Sequence, residues 1–241
     1  MVVLCWTAAC AAPAAPLPKP KGGPFDAGWD RPIDPDKDSV VTRKSQWVTM
    51  ELPGGKPHLL HRGGQWPLLN SPRLLRDVEG DFTAEVRVTS DWNNLSVLSS
   101  HRIRAPQVRA GLVFLPAHKS EEAGHYSMQY GARREGKALV RFTYIELDDL
   151  SCICPQTAEP RLPPAGAKSV YVRLVRKGKS VSGWVSADGR RWLKQGSNNE
   201  EPPDSLPERG KLGLVACSTS LAKFKVTFDR FKLTLSRPKV K

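Results

Sequence analysis

From about residue 40 onward the sequence alternates apolar and polar residues with period two, and no long stretch runs at helical spacing between caps. That is the pattern of half-buried strands, so the chain is expected to be all-β. Phe82, Ala84, Val86 and Val88 interleave with Thr83, Glu85, Arg87 and Thr89, giving the one apolar and one wet face of an antiparallel sheet lying on a core. The pattern recurs at Ala138, Val140, Phe142 and Tyr144, at Val170, Val172 and Leu174, and at Phe224, Val226 and Phe228. After Phe228 the phase slips, and Phe231, Leu233 and Leu235 continue it; a bulge at Asp229-Arg230 keeps the strand on the core.

Further strands are expected at Val40 to Leu52, His58 to His61, Val108 to Leu115, His125 to Arg133, Ser180 to Ser186, Arg191 to Gln195 and Lys211 to Cys217. About eleven strands suit two stacked sheets better than a small barrel. Asp188-Gly189 between two strand patterns marks a hairpin, because glycine tolerates the positive φ of a tight turn. Asp148 to Pro164 and Ser197 to Pro207 read as long loops. A length of 241 residues fits one sandwich, since such domains reach ~200–250 residues.

The first residues differ in kind. Met1 to Ala15 is an apolar, alanine-rich block that resembles the end of a secretory leader, although no Lys or Arg precedes it. Thr7-Ala8-Ala9-Cys10 is similar to a degenerate lipoprotein box, with Cys10 as the lipidated residue. Cleavage, a lipid anchor and no processing all stay open, and export is the expectation. The expected organisation is a leader and Pro-rich spacer over residues 1–24, a sandwich over 25–236 and a basic tail over 237–241. No run reaches the ~18 apolar residues of a membrane span.

Beyond Cys5 and Cys10 stand Cys152, Cys154 and Cys217, an odd set that makes no disulfide framework. Cys217, in the apolar run from Leu212, reads as a small buried hydrophobe. Neither a Cys-x-x-Cys nor a His-x-x-x-His pair occurs, so neither a metal site nor a cofactor is expected. A net charge of +13 favours anionic partners such as an acidic polysaccharide. The bases are scattered, as at Arg173, Arg176, Lys177 and Lys179, and form no continuous run; no specific nucleic-acid function is expected.

Several motifs occur in a fixed order: Gly80-Asp81-Phe82-x-x-x-Val86-x-Val88, Ala110-Gly111-Leu112-Val113-Phe114, Leu174-Val175-Arg176-Lys177-Gly178 running into Ser186-Ala187-Asp188-Gly189-x-x-Trp192, then Gly213 to Ser218 and Phe224-x-Val226-x-Phe228-Asp229-x-Phe231. In this order they resemble the concanavalin A-like lectin/glucanase superfamily. The nearest likeness is to the bacterial domain of unknown function called "regulation of enolase" and its relative at the C-terminus of some β-xylosidases. The resemblance spans roughly residues 25–236 and implies a two-sheet antiparallel jelly-roll sandwich, with a concave face that holds sugar in many members. It brings no established activity.

Laminarinase-type enzymes of that superfamily carry Glu-x-Asp-x-x-Glu on one strand. Here Glu146 and Asp148 match, but Ser151 stands where the second Glu belongs, so the acid of a two-carboxylate glycosidase is missing. No nucleophile motif accompanies the five His. Aromatic residues are the better lead, because sugar rings stack on exposed Trp or Tyr. Trp66, Trp92 and Asn93 lie in loop-like contexts, and Tyr126 and Tyr130 share a strand face with Met128 between them. These five are the candidate carbohydrate-binding residues; Trp47 and Trp184 are assigned to the core, as is Trp192. The expected function is a secreted or envelope-attached, non-catalytic carbohydrate-binding sandwich. A glycoside hydrolase or lyase with an atypical site, and a protein-interaction module of the envelope, are the alternatives.

Overall fold

The computed structural model describes residues 22–61, 68–92, 107–117, 124–133, 138–146, 167–198 and 206–236. Among them every regular element is a strand: β1(Val40–Arg43), β2(Trp47–Leu52), β3(Leu60–His61), β4(Leu68–Leu69), β5(Arg73–Glu79), β6(Asp81–Ser90), β7(Gln107–Pro116), β8(Gly124–Arg133), β9(Ala138–Glu146), β10(Ser169–Lys177), β11(Ser180–Ser186), β12(Leu193–Ser197), β13(Arg209–Ser218) and β14(Phe224–Ser236). A large sheet of seven strands runs β1-β2-β14-β6-β10-β11-β12, a small sheet of five runs β5-β13-β7-β8-β9, and β3 pairs with β4. The pairings are antiparallel. The chain crosses between layers at β5 to β6, β6 to β7, β9 to β10, β12 to β13 and β13 to β14, the connectivity of a jelly-roll sandwich. No helix of the described residues is long and apolar enough to cross a membrane.

The alternation places the core. Even-numbered residues of β6, from Phe82 to Val88, face inward with Val172 and Leu174 of β10 and Val226 and Phe228 of β14. Against them the small sheet sets Leu112, Phe114, Tyr126, Met128, Phe142, Leu212 and Leu214. Phe25 and Trp29, ahead of the first strand, pack on Phe231 with ring centroids 5.8 and 4.9 Å from it. The phase slip in β14 is a register shift between Asp229 and Lys232, with Arg230 at φ 51°.

Two parts of the strand pattern differ from the sequence reading, one in each large layer. Val40 to Leu52 divides into β1 and β2, and β5 was not expected because Leu74 and Leu75 are consecutive. Both are buried: Leu74 in the main core, and Leu75 in a second cluster with Leu60, Val113, Val215 and Cys217 on the outer side of the small sheet. Cys217 is free and buried, its Sγ 3.2 Å from Ser71 Oγ. Residues 1–21 and 237–241, Cys152 and Cys154, and most of the two expected loops lie outside the described residues.

At the sandwich edge Arg176 breaks the alternation. It points inward, almost fully buried, and its guanidinium donates to the carbonyls of Gly178, Leu206 and Glu208 at 3.1–3.2 Å. It also lies over the Phe114 ring, 5.4 Å from the centroid. Burial holds its pKa below the usual arginine value, and the three carbonyls supply the partners that a buried charge requires.

Candidate functional site

The strand parity that builds the core decides where the candidate aromatics go. Trp92 continues the even-numbered inward face of β6 and is 2% exposed. It meets Tyr130 edge-on at 5.2 Å and Phe224 at 5.9 Å. Tyr126 and Tyr130 are 3% and 1% exposed and flank the fully buried Met128; burial keeps the Tyr130 hydroxyl above its ordinary pKa. None of the three offers a ring to a ligand, which corrects the expectation of an exposed aromatic platform there. Met128 between the tyrosines was the readable sign of a core face. Trp66, Asn93, Asp148 and Ser151 lie outside the described residues, and so does the side chain of Glu146.

The accessible rings belong to residues that the sequence had assigned to the core. On the outer face of the large sheet, Arg173 of β10 stands between Glu85 of β6 and Trp184 of β11, and Trp184 stands opposite Lys194 of β12. One step along the strands, Val175 stands between Thr83 and Ser182; Lys177 pairs with Ser180. Trp184 is partly exposed, and its indole Nε1 donates to Ser182 Oγ at 3.1 Å, which fixes the ring against the sheet. Trp192, expected in the core, lies instead under Arg173, whose guanidinium carbon is 3.7 Å from the ring centroid. Arg173 Nη2 also bonds Glu85 Oε1 at 2.9 Å, so its charge is held from two sides.

These side chains border a cavity of about 340 Å³ lined by Thr83, Arg173, Val175, Lys177, Ser180, Ser182 and Trp184. The volume falls in the ~300–1,000 Å³ range of small-molecule clefts. Its chemistry is an indole and an apolar side chain at Val175, ringed by hydroxyls and cations. Its lining holds no carboxylate among the described residues. Lys177 and Lys194 form no ion pair with a described carboxylate. The arrangement brings together a ring, hydroxyls and cations, the groups that hold a hydroxylated, anionic ligand.

The small sheet has a different outer face. Arg109 of β7, His125, Ser127 and Gln129 of β8 and Thr143 of β9 point away from the core yet are buried, and Gln129 stands opposite Gly111 on one side and Arg141 on the other. Buried polar groups are costly unless paired. Gln129 Oε1 is buried without a hydrogen-bond partner among the described residues. Sequence reasoning missed both faces, because on a strand the outward positions read simply as the wet half of the alternation.

No family model matches the chain, and no curated protein matches it. Among solved structures it is similar to a functionally unknown protein from Saccharomyces cerevisiae, at 17% identity and a TM-score of 0.59 over 86% of this chain and 96% of that one. It is also similar to a xylan β-1,4-xylosidase from Bacillus halodurans C-125, at 14% identity and a TM-score of 0.49, over 92% of this chain and 41% of the xylosidase. An alginate lyase from Klebsiella pneumoniae matches at 12% identity and a TM-score of 0.48, over 85% of this chain and 86% of that one. The likeness to the yeast protein is one of fold.

Proposed function

We propose that this chain is an exported, non-catalytic carbohydrate-binding sandwich of the concanavalin A-like kind, which takes an acidic polysaccharide across the outer face of its large sheet. The observation that carries the reading is Trp184, a partly exposed ring pinned by Ser182 and bordered by a cavity with hydroxyls on one side and Lys177 on the other. A sugar's apolar face stacks on the indole, its hydroxyls meet Ser180, Ser182 and Thr83, and its carboxylates meet Lys177 and Lys194. The excess of base over acid, +13, adds a long-range attraction for such a polymer. Export rests on the apolar leader, with attachment through Cys10 or release after cleavage as its two forms.

The test is affinity electrophoresis through gels containing polygalacturonate, alginate or neutral xylan. Retardation on an acidic polymer that is lost in Trp184→Ala is the expected result. Passage of the intact protein through every gel without retardation, or retardation unchanged in Trp184→Ala, overturns the reading.

A lyase or hydrolase is favoured by one observation only, the buried polar face of the small sheet with Gln129 Oε1 unpartnered. There a guanidinium could neutralise a uronate carboxylate while His125 takes a proton. Release of reducing or unsaturated ends from polyuronates, abolished in Gln129→Leu and His125→Gln, would establish it; inertness on the polymer that the protein binds removes it.

A further inference from the structure

Away from the groove, three segments converge on one buried imidazole. Asp36 and Asp38 come from the turn before β1, where Asp34 Oδ2 accepts from the Ser39 N–H at 2.8 Å. Asn70 follows β4. His58 precedes β3 and is fixed by its backbone, whose N–H and carbonyl both pair with Ser218 at the end of β13, at 2.8 and 2.9 Å. The His58 side chain is fully buried. Its Nδ1 is 3.1 Å from the Lys56 carbonyl, and its Nε2 is 2.9 Å from Asp38 Oδ1 and 3.9 Å from Asp36 Oδ2.

Both ring nitrogens therefore face oxygen acceptors, and a neutral imidazole has only one N–H to give. With the Nδ1 hydrogen given to the Lys56 carbonyl, Nε2 turns its lone pair toward the two carboxylates, the orientation in which an imidazole coordinates a cation.

We infer that His58 Nε2, Asp38 Oδ1 and Asp36 Oδ2 are the three protein ligands of a divalent transition-metal ion. One donor atom from each of the three residues lies within 4.8 Å of those of the other two. A tetrahedral ion with bonds of ~2.1 Å sets its ligands ~3.4 Å apart, and the two His58 distances straddle that value. One imidazole nitrogen with two carboxylate oxygens suits Zn²⁺, Mn²⁺ or Co²⁺; Ca²⁺ and Mg²⁺ favour oxygen alone. An outer shell is in place as well. Nδ1–H on the Lys56 carbonyl orients the ring, and Asn70 Nδ2 donates to Asp36 Oδ2 at 2.7 Å and to the Pro57 carbonyl at 2.8 Å. Asn70 Oδ1 accepts from the Leu59 N–H at 2.9 Å. Such second partners are what hold metal ligands in register.

The competitor is internal. Lys56 Nζ lies 2.9 Å from Asp36 Oδ2 and 3.2 Å from Asp38 Oδ2. Its side chain is half exposed, so the ammonium can leave for solvent when a metal arrives. Bound metal would tie the segment before β1 to the end of β13, a cross-link between the N-terminal turn and the small sheet.

The experiment is titration of the chelator-treated full chain with Zn²⁺ by calorimetry, with Co²⁺ absorption as the reporter of donor type. One equivalent is expected to bind, with a Co²⁺ spectrum free of thiolate charge-transfer bands. Asn70→Ser should weaken binding by about 10- to 100-fold, and Asp36→Asn and Asp38→Asn at least as much. Lys56→Met should tighten it, a gain that a damaged fold cannot produce. Far-UV spectra and thermal scans check that each variant folds. Absence of uptake by both the natural chain and Lys56→Met overturns the inference. Uptake unchanged in Asp38→Asn, or thiolate bands with Co²⁺, overturns it by placing the metal elsewhere.

Discussion

Arg87 grips Asp229 with both sides of its guanidinium fork, Nε donating to Oδ1 at 2.7 Å and Nη2 to Oδ2. The two residues are register partners on β6 and β14, and the register of that pair breaks immediately after Asp229. The fork therefore closes the last regular rung before the bulge. Its hydrogen bonds to Asp229 hold the Arg87 pKa above the ordinary arginine value.

A bidentate pair with both side chains about one-quarter exposed stands above the ordinary surface ion pair in geometry but stays near its scale in energy. Asp229→Asn should lower unfolding stability by ~1 kcal/mol. In a cycle with Arg87→Met the two losses should be less than additive. Urea melts of the four proteins give the coupling. Full additivity would mean that the fork contributes nothing to the bulge.

Gly183 occupies an inward position of β11 directly beneath the small sheet. A Cβ there would stand 2.5 Å from Phe142 Cδ2 and 2.7 Å from Met128 Sδ. The aromatic ring, wedged in the core, cannot retreat as a surface side chain would. Gly183→Ala should destabilise by ~1–3 kcal/mol through overpacking. Met128→Ala alone should cost ~2–5 kcal/mol by opening a cavity, and the double variant should be more stable than the sum of the two losses predicts. Thermal unfolding of the set decides it; simple additivity would show that the two sites do not share the space.

Much of this layering was legible in the sequence because strands β6, β10 and β14 bury one face only, so their parity names the core directly. The bulge at Asp229 was legible for the same reason, as a break in parity. β5 was not, since Leu74 and Leu75 serve different apolar clusters on opposite faces and leave no alternation to read. Trp92 was assigned to a loop although it keeps the β6 parity. Trp184 and Trp192 were given to the core although Trp184 stands at an outward position, because size and hydrophobicity were weighed above phase. The Asp36, Asp38 and His58 cluster had no local spacing to betray it; Asp38 and His58 are twenty residues apart and meet only because His58 pairs with Ser218.

Asp188 sits in the turn between β11 and β12, near Gly189 with its φ of 74°. Its Oδ1 accepts from the backbone N–H groups of Arg191 and Arg190 at 2.9 and 2.8 Å and from Ser186 Oγ at 3.0 Å. These bonds favour the carboxylate, with the Arg191 and Arg190 amides first, and lower its pKa from 3.8 to about 2. A folded-state pKa below the unfolded one means that the stabilisation is full above about pH 4 and is lost as pH falls toward 2. Carbon-detected titration of the Asp188 carboxyl should give a midpoint near 2, and Asp188→Asn should remove the accompanying acid shift of the Arg190 and Arg191 amides. A midpoint at the ordinary carboxylate value would show that the turn does not hold the carboxylate.

The proposed groove combines a stacking ring with cations, and salt separates the two. At ~0.15 M ionic strength the Debye length is ~8 Å, so exposed charges act weakly beyond that range, whereas a stacked sugar face is little affected. Lys177→Gln with Lys194→Gln should therefore weaken binding to polygalacturonate at low salt, with the difference from the natural chain closing as salt rises. Trp184→Ala should weaken it by about tenfold, ~1–2 kcal/mol, at every salt concentration. Duplex DNA is the control polyanion: without a stacking contact, its binding should be independent of sequence and should vanish near physiological salt. Calorimetry across a salt series checks all of these. A Trp184→Ala effect that disappears with salt, or sub-micromolar and sequence-dependent DNA binding at ~0.15 M, would move the ligand away from an acidic sugar stacked on the indole.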